Sequence, residues 1–584
     1  MCVELNNTPM PSAQKPWMKF YSEEALRDTM PKTTIYRQLR QNNENHRNIT
    51  ALNYFGNKIS YGTLLDEVDN AAAAFKAIGV KKGDIVAAQS VTVPEMVYSL
   101  YGLNKIGAAP VMIDPRYRAV DVLDFIRKTG ATVLIILDLS YEALGDSLKD
   151  AGLEKIVVIS ADTSLPPMVK YLKQFKMPAP KIEFKGIVEG WKQFAARGAG
   201  IVTETVEYGE NDLAAITLTG GTTGAPKGVM LTNDGFNAIA FDFKHCGVTY
   251  DRGQKFMNII PMFASYGIVS SLHMPLSLSL EVVVIPKFDA DKVGYYIKKY
   301  RPEHTLLVPA HYEKLMNSKE MEGGFDLSFF RTAGSGGDTM NAGLEEKLNN
   351  FLRSRGCRHP LSQGYGMSEV SSAACCCCNG NFKSLSVGYP LLTTNIGIFK
   401  PGTTEELGYN TEGEICISGP SVMMGYLGNE EETKNTIRRH PDGELWVHSG
   451  DVGYMDEDGF VFIKGRIKRM ITRFDGHKLF PTYIESVLGS HKSVTSCAVV
   501  GIKDLEHAQG MLPLAVVESN VDGELGLERV KNELYKLCET ELERTASPYD
   551  IVFVEAMPHT GMGKIDYAKL AEDYENSRRV DCAV

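Results

Sequence analysis

The stretch Leu218-Thr-Gly-Gly-Thr-Thr-Gly-Ala-Pro-Lys-Gly228 places four glycines, three threonines and one lysine within eleven residues. Apolar segments at residues 214–218 and 229–231 flank it, and both are typical of buried strands. Glycines let backbone N–H groups approach an anion closely, while the threonine hydroxyls and the ammonium of Lys227 add donors. A Walker A loop is excluded, because Lys227 is followed by glycine and an apolar run rather than by Ser or Thr and a helix. The stretch predicts a phosphate-binding loop between two strands.

The composition around this loop is that of a globular enzyme. The chain has 584 residues, of which 43% are hydrophobic and 23% charged, and its net charge is −10. Such a length exceeds one ordinary domain, and such an acidic balance argues against nucleic acid as a partner. The N-terminus shows no basic and apolar signal sequence, and His273, Pro275 and Glu281 interrupt the most apolar long stretch. We therefore expect a cytoplasmic protein without a membrane span.

Eleven cysteines without a secretory context favour reduced thiols. Four of them form the run Cys375-Cys-Cys-Cys378. Adjacent cysteines on a strand point in alternate directions and cannot all ligate one metal ion, and no neighbouring histidine completes a site. We expect these residues to be small buried side chains behind a pocket.

Strand-like and helix-like patterns alternate along the N-terminal part of the chain. Strands are predicted at residues 85–90, 109–113, 132–137 and 155–159, with helical spacing between them, as at residues 94–105. Such alternation is typical of a mostly parallel α/β sheet covered by helices. Residues 161–210 are predicted to be a polar excursion, residues 393–465 to hold many short strands, and residues 469–584 to form a small α/β domain with strands at 496–502, 512–517 and 551–554.

Five further stretches combine glycines with hydroxyl, charged or aromatic residues. In chain order they are Pro261-Met-Phe-Ala-Ser-Tyr-Gly267, Arg331-Thr-Ala-Gly-Ser-Gly-Gly-Asp338, Gln363-Gly-Tyr-Gly-Met-Ser-Glu369, His448-Ser-Gly-Asp-Val-Gly453 and Pro558-His-Thr-Gly-Met-Gly-Lys564. Each has an ordinary alternative: Glu369 could merely favour a helix dipole, and Asp451 could be an exposed turn residue. Their number and order are what favour a functional interpretation.

Together with the phosphate loop, these stretches resemble the motifs of the adenylate-forming superfamily, which includes acyl- and aryl-CoA synthetases, adenylation domains and firefly luciferases. The resemblance spans most of the chain. This chain departs from the usual motif sequences of the family at Leu218, Gly220, Ala264 and Asp338. Gly220 removes a hydroxyl donor from the loop, Ala264 replaces a histidine, and the role of Asp338 is open.

The resemblance assigns roles to residues of this chain. It implies an ATP site formed by Thr219, Gly221, Thr222, Thr223, Gly224, Lys227, Gly336, Gly337, Asp338, Tyr365, Gly366, Ser368, Asp451 and Arg466. It implies an acyl pocket lined by Phe263, Tyr266 and Gly267. It makes Lys564, Glu369 and Lys227 the catalytic residues, Glu369 the Mg²⁺ ligand and Lys468 the hinge between domains at residues 1–467 and 468–584.

The resemblance implies the fold as well: an α/β chain with a large N-terminal domain of mixed parallel sheets and helices, a β-rich subdomain and a small mobile C-terminal α/β domain.

The expected function is ATP-dependent conversion of a carboxylic acid to acyl-AMP, followed by transfer to CoA. A stand-alone ligase that loads a separate carrier protein is the alternative enzyme, and a nucleotide-binding module without catalysis is the alternative class. No acidic residue lies between Pro261 and Leu280, which favours a plain carboxylic acid over an amino acid. The sequence does not indicate the chain length of this acid. For the assembly, a homodimer is the candidate.

Overall fold

A computed structural model describes residues 10–176, 180–219, 226–338, 340, 342–377, 380–507, 509–558 and 565–581. The strands, in chain order, are β1 (Thr50–Tyr54), β2 (Asn57–Ser60), β3 (Ile85–Gln89), β4 (Ala109–Ile113), β5 (Val133–Leu137), β6 (Lys155–Ile159), β7 (Val188–Gly190), β8 (Leu213–Thr219), β9 (Lys227–Thr232), β10 (Lys255–Asn258), β11 (Glu281–Val284), β12 (His304–Leu307), β13 (Thr332–Ser335), β14 (Ser362–Tyr365), β15 (Cys375–Cys376), β16 (Tyr389–Pro390), β17 (Asn395–Phe399), β18 (Gly413–Ser418), β19 (Gly425–Tyr426), β20 (Ile437–Arg439), β21 (Leu445–Met455), β22 (Val461–Arg466), β23 (Ile471–Thr472), β24 (Lys478–Leu479), β25 (Val494–Lys503), β26 (Met511–Ser519) and β27 (Asp550–Val554).

The α-helices are α1 (Pro11–Gln14), α2 (Glu23–Arg27), α3 (Ile35–Asn43), α4 (Tyr61–Ala77), α5 (Pro94–Lys105), α6 (Ala119–Thr129), α7 (Asp138–Leu144), α8 (Pro167–Lys176), α9 (Trp191–Ala196), α10 (Asn233–His245), α11 (Met274–Ser277), α12 (Val293–Tyr300), α13 (Pro309–Met316), α14 (Ala342–Ser354), α15 (Glu430–Thr436), α16 (Pro481–Gly489), α17 (Glu524–Glu541) and α18 (Tyr567–Asp581). A π-helical segment, Tyr266–His273, precedes α11. Short 3-10 turns include Ser368–Val370 and Ile467–Arg469.

The first sheet has eight strands in the order β19-β9-β8-β4-β3-β5-β6-β7. Its central strands are parallel, and only β9 and β19 run antiparallel to their neighbours. Every residue of β5 is buried, as expected of a central strand in a parallel sheet. The predicted α/β alternation in the N-terminal part of the chain is confirmed.

The second sheet has nine strands in the order β16-β15-β14-β13-β12-β10-β11-β1-β2. Strands from β1 to β14 in this order are parallel, and the sheet ends are antiparallel. One hydrophobic core joins side chains from both sheets with α4, α5, α10 and the π-helical segment, and its largest members include Tyr61, Phe75, Tyr101 and Phe236. The two sheets therefore pack on a shared helical layer.

The third sheet is antiparallel, with the order β17-β18-β21-β20 and β22 added on β21. It corresponds to the predicted region of short strands. Its core includes Ile396, Ile415, Val447 and Val461 together with Trp17 from the N-terminal segment.

Asp242 of α10 connects this helix to the segment before β17. Its carboxylate accepts hydrogen bonds from the Thr393 backbone N–H and hydroxyl, both at 2.9 Å. Burial raises the pKa of the Asp242 carboxyl from 3.8 to about 7, although the Thr393 bonds oppose this shift. The contact therefore depends on pH near neutrality.

The C-terminal elements form a three-stranded sheet, β25-β26-β27, with β25 antiparallel and β27 parallel to β26. Helices α16 and α17 pack on one core, which includes Leu488, Val499, Val517 and Leu534. The strands predicted in this part of the chain are β25, β26 and β27. The fold class predicted from the sequence is thus confirmed.

The expectation of a polar excursion at residues 161–210 is wrong. This part of the chain contains α8, β7 and α9, and α9 buries Trp191 and Phe194. Pro167 begins α8 instead of breaking it, because proline fits the first position of a helix. Among the residues that the structure describes, no helix combines the length and apolar character needed to cross a bilayer.

Candidate active site

The phosphate-loop stretch lies between two strands, as predicted, and the structure shows that these strands pair antiparallel. Strand β8 ends at Thr219 and β9 begins at Lys227, and these two residues are register partners. The strand pair therefore holds both ends of the loop together. Gly221, Thr222, Thr223 and Gly224 lie outside the described residues, and so does Lys564.

Lys227 lies between an acidic side chain and an aromatic ring. Its ammonium forms an ion pair with Glu432, in the first turn of α15. It also lies 4.8 Å from the centroid of the Tyr426 ring. These contacts hold the lysine charge at the start of β9, where the phosphate loop ends.

Glu369 contacts the same tyrosine through its hydroxyl group. The Tyr426 hydroxyl donates a 2.7 Å hydrogen bond to Glu369 Oε1. Burial, and then the charge of Glu369, raise the pKa of the Tyr426 phenol far above its ordinary value. Tyr426 therefore lies between the two predicted catalytic residues Lys227 and Glu369.

The surroundings of Glu369 fit a magnesium ion. Within the described ranges, no Lys, Arg or His forms an ion pair with its carboxylate, which is buried at 8% exposure. Together with that of Asp451, the charge of Glu369 helps to raise the pKa of Arg466, but no cation among the described side chains contacts the Glu369 carboxylate directly. A carboxylate is the hard oxygen ligand that Mg²⁺ prefers. Ser368, the neighbouring residue, exchanges a 2.9 Å hydrogen bond with Ser265.

The glycines predicted to face adenine lie where neighbouring backbones come close. A Cβ at Gly336 would lie 3.2 Å from the Gly364 carbonyl oxygen and 3.6 Å from the Tyr266 hydroxyl oxygen. Gly337 has φ +83°, in the region that favours glycine. A Cβ at Gly366 would lie 2.0 Å from the Ser372 carbonyl oxygen, so packing alone already requires glycine there.

Tyr365, Asp451 and Arg466 form a connected group. The Tyr365 hydroxyl donates to Asp451 Oδ2 at 2.6 Å, and Arg466 Nε lies 2.9 Å from Asp451 Oδ1. Asp451 and Arg466 are register partners on β21 and β22, so the sheet itself sets this pairing. The charge of Asp451 raises the pKa of the Arg466 guanidinium. A carboxylate has about four lone-pair positions, so Asp451 retains acceptor capacity for further donors.

A buried polar network behind Asp451 was not predicted. Glu414 accepts from the Gly450 N–H at 3.1 Å and lies 2.9 Å from His448 Nδ1. His448 Nε2 lies 3.0 Å from His440 Nε2. This network fixes the turn that carries Asp451. Nothing local in the sequence connects these residues, since β18, β20 and β21 bring them together.

The predicted acyl-pocket residues lie beside the nucleotide-type glycines. Phe263 is buried, and the Arg116 guanidinium lies 5.8 Å from its ring centroid. Tyr266 begins the π-helical segment. A Cβ at Gly267 would lie 1.9 Å from the Pro261 carbonyl oxygen, so the turn requires glycine. The three described members of the cysteine run, Cys375, Cys376 and Cys377, are buried as expected.

Asp338 lies near the C-terminal elements, whereas the charge of Lys468 acts on α15. Burial raises the pKa of the Glu485 carboxyl, Arg469 lowers it, and Asp338 raises it again, so Asp338 lies near α16. Lys468 is exposed in the 3-10 turn between β22 and β23, where its charge helps to lower the pKa of Glu432.

Comparison with known sequences identifies the class of protein. The pattern of the AMP-binding enzyme family matches residues 39–427, about two thirds of the chain, and that of the AMP-binding enzyme C-terminal domain matches residues 483–564. The chain belongs to the AMP-binding enzyme family.

Individual relatives extend over nearly the whole chain. The long-chain-fatty-acid–CoA ligase of Bacillus subtilis (strain 168) is 27% identical over 97% of this chain and 100% of its own length. The 4-coumarate–CoA ligase 1 of Narcissus pseudonarcissus is 28% identical over 90% of this chain and 91% of its own.

Solved structures show the same fold. ATP-bound MatB from Rhodopseudomonas palustris superposes with a TM-score of 0.77 at 22% identity, covering 92% of this chain and 99% of MatB. The anthranilate CoA ligase AuaEII in complex with anthranoyl-AMP superposes with a TM-score of 0.78 at 22% identity, covering 96% and 100%.

Proposed function

We propose that this protein is an AMP-forming acid–thiol ligase. It activates a carboxylic acid with ATP to acyl-AMP and pyrophosphate, and then transfers the acyl group to CoA. The observation that carries this proposal is the cluster formed by Lys227, Tyr426 and Glu369. The charge of Glu369 also acts on Arg466, which belongs to the group of Tyr365, Asp451 and Arg466. The CoA-ligase relatives support CoA over a carrier protein as acceptor.

The reaction requires positioned charge more than a covalent nucleophile. Attack of the acid on the α-phosphorus builds negative charge on phosphate oxygens, which fixed cations and N–H donors stabilise. In our assignment Lys227 and the loop from Thr219 through Gly224 hold the β- and γ-phosphates. Asp451 accepts from the ribose hydroxyls, and Arg466, paired with it at 2.9 Å, sets its orientation and reaches the same nucleotide.

Tyr365, Gly336 and Gly337 offer surfaces for the base, and Gly366 and Ser368 support the turn that carries Glu369. Asp338, next to this glycine segment, completes the proposed ATP site. Glu369 would hold Mg²⁺, which supplies charge neutralisation of the phosphates when bound. Among the described residues this carboxylate has no direct ion pair, which supports the assignment.

Lys564 and Lys468 belong to the proposed two-domain mechanism. We assign Lys564 the clamp on the substrate carboxylate and α-phosphate, and Lys468 the pivot between domains at residues 1–467 and 468–584. The 3-10 turn Ile467–Arg469, which joins the third sheet to the C-terminal elements, supports this boundary.

The acid is proposed to be an apolar carboxylic acid, of the fatty or aryl type. Phe263, Tyr266 and Gly267 would line its pocket, and the segment between Pro261 and Leu280 offers no carboxylate to a substrate ammonium. A role in fatty acid metabolism is supported by the Bacillus subtilis relative, which matches along its whole length.

A screen of acids tests this function. Purified protein is incubated with ATP, Mg²⁺ and single acids of the fatty, aryl and amino types, and pyrophosphate release is measured. Addition of CoA should then give AMP and an acyl-CoA detectable by mass spectrometry. Absence of pyrophosphate release with every fatty and aryl acid would contradict the proposal, and release without thioester would favour a carrier protein.

We further propose a cytoplasmic location, which is supported by the free thiols of Cys357, Cys416, Cys497 and Cys538. A homodimer remains a prediction, and sedimentation velocity of the purified protein tests it.

A further inference from the structure

Helix α8 exposes apolar side chains on its outer face. Met168 is 75% exposed and Leu172 is 59% exposed, and these residues lie one helical turn apart on the same face. The neighbouring Val169 is 38% exposed. Lys173, by contrast, turns back toward the protein and forms an ion pair with Asp162. The helix thus presents its apolar side to the surroundings and directs a charged residue inward.

The base of this helix is firmly attached. The Tyr54 hydroxyl donates to the Ala161 carbonyl at 2.7 Å, and the Asn57 side chain donates to the Ser164 carbonyl at 2.9 Å. The Ser164 hydroxyl donates to Glu95 Oε1 at 2.6 Å. Since the segment before α8 is fixed on β1, β2 and α5, the outward direction of the apolar face follows from the fold.

The charge around α8 opposes that of the whole chain. Residues 161–188 contain two acidic residues, Asp162 and Glu183, and five lysines, Lys170, Lys173, Lys176, Lys181 and Lys185, which gives a net charge of +3. The complete chain has a net charge of −10. Exposed apolar residues beside lysines are what a helix needs to bind an anionic lipid surface.

We propose that α8 docks this protein on the surface of an anionic lipid bilayer, with Met168, Val169 and Leu172 entering the headgroup boundary. A helix of ten residues is too short to span a bilayer and would lie in its plane. A second copy of the chain is a poorer occupant, because a two-fold pair would bring the lysines of one α8 against those of the other.

Hydrogen bonds connect the segment before α8, through the start of α5, to the acyl segment. Glu95, which holds Ser164, lies in the first turn of α5. Three residues earlier, the Thr92 hydroxyl accepts from the Met262 N–H at 3.1 Å, within the segment that carries Phe263. If the proposed function holds, an amphiphilic acid dissolved in the bilayer would be supplied near its pocket. The docking itself does not depend on that function.

Vesicle binding without ATP or CoA tests the proposal. Wild-type protein is sedimented with vesicles of phosphatidylglycerol and phosphatidylcholine, and separately with pure phosphatidylcholine. We expect binding to the anionic vesicles, weakened at high salt, and a Met168→Asp/Leu172→Asp variant that binds about tenfold or more weakly. Leu525→Asp, a matched control at a residue 91% exposed on α17, should bind like the wild type.

A second measurement keeps the test independent of the double variant's folding. The Leu172→Trp variant should show a blue-shifted emission on anionic vesicles and quenching by brominated lipid, because the introduced indole enters the boundary. Wild-type protein that stays in the supernatant, an unshifted emission of the Leu172→Trp variant, or a double variant that sediments like the wild type would overturn the proposal. A dimer that the double variant loses, without vesicle binding by the wild type, would assign this face to a second copy.

Discussion

Glu369 is the residue on which the proposed metal site depends. Gln at this position keeps the oxygen that accepts from Tyr426 but is a poorer ligand for a hard cation. We expect Glu369→Gln to raise the Mg²⁺ concentration for half-maximal pyrophosphate release by about tenfold or more. A titration of activity against Mg²⁺ measures this, with Glu431→Gln, an exposed change on α15, as control. An unchanged Mg²⁺ requirement and rate would make Glu369 a helix-start acid.

Asp242 predicts how stability varies with pH. Its folded-state pKa of about 7 exceeds the ordinary value of 3.8, so the folded protein binds a proton that the unfolded chain has lost. The free energy of unfolding of the wild type therefore falls as pH rises from about 4 to 7. Above about pH 7 it stays at this lower value, as far as Asp242 is concerned. Asp242→Asn should remove this cost and stabilise the protein at pH 8 by on the order of 2–4 kcal/mol, with little gain near pH 4. Thermal unfolding across this range measures the difference, and an equal gain at every pH would contradict the assignment.

At the scale of elements, the 3-10 turn Ile467–Arg469 is the proposed pivot. Proline fixes φ near roughly −65°, a value that a 3-10 turn accepts, so Lys468→Pro should favour one domain arrangement. We expect one half-reaction to persist while the other becomes much slower, as measured by pyrophosphate release and by thioester formation from supplied acyl-AMP. Lys468→Ala is the control, because it removes the charge without fixing φ. Lys464→Pro would not serve, since Lys464 lies inside β22. A folded proline variant with both rates at wild-type level would exclude Lys468 as the hinge.

The apolar pattern of the sequence does not predict which type of helix forms. The segment from Tyr266 to His273 is apolar and could be any buried helix, but in the structure it is π-helical. The last residue of this segment, His273, lies within hydrogen-bond distance of Tyr101 at 3.1 Å and of Asn237 at 3.2 Å. Burial lowers the pKa of His273 to about 3, so the ring stays neutral within this core.

At the scale of the whole molecule, we propose that the two half-reactions use different domain arrangements. Lys564 is assigned to adenylation, and CoA must approach a site that this lysine would otherwise cover. Lys564→Ala should lower the rate of acyl-AMP formation by about 10²–10³-fold, the usual effect of losing one positioned donor. Conversion of supplied acyl-AMP to thioester should change much less. Lys569→Ala, on α18, is a suitable control, and equal losses in both half-reactions would contradict the assignment.

The sequence by itself determined the α/β alternation, the two strands around the phosphate loop and the order of the site motifs. These features depend on local patterns: apolar periodicity, glycines between strands, and short runs that combine glycines with charged residues. Glu369, Asp451 and Arg466 could be predicted as candidates in this way because each lies within such a run.

Only the tertiary structure decided which of these residues meet. Tyr426 joins Lys227 to Glu369 because β19 pairs with β9, and Glu414 reaches His448 because β18 pairs with β21. The apolar pattern of α8 likewise does not reveal which way the helix faces, since its direction depends on where Ala161 and Ser164 are held. Pairings between distant strands are set by the packing of whole sheets, and no local pattern of residues encodes them.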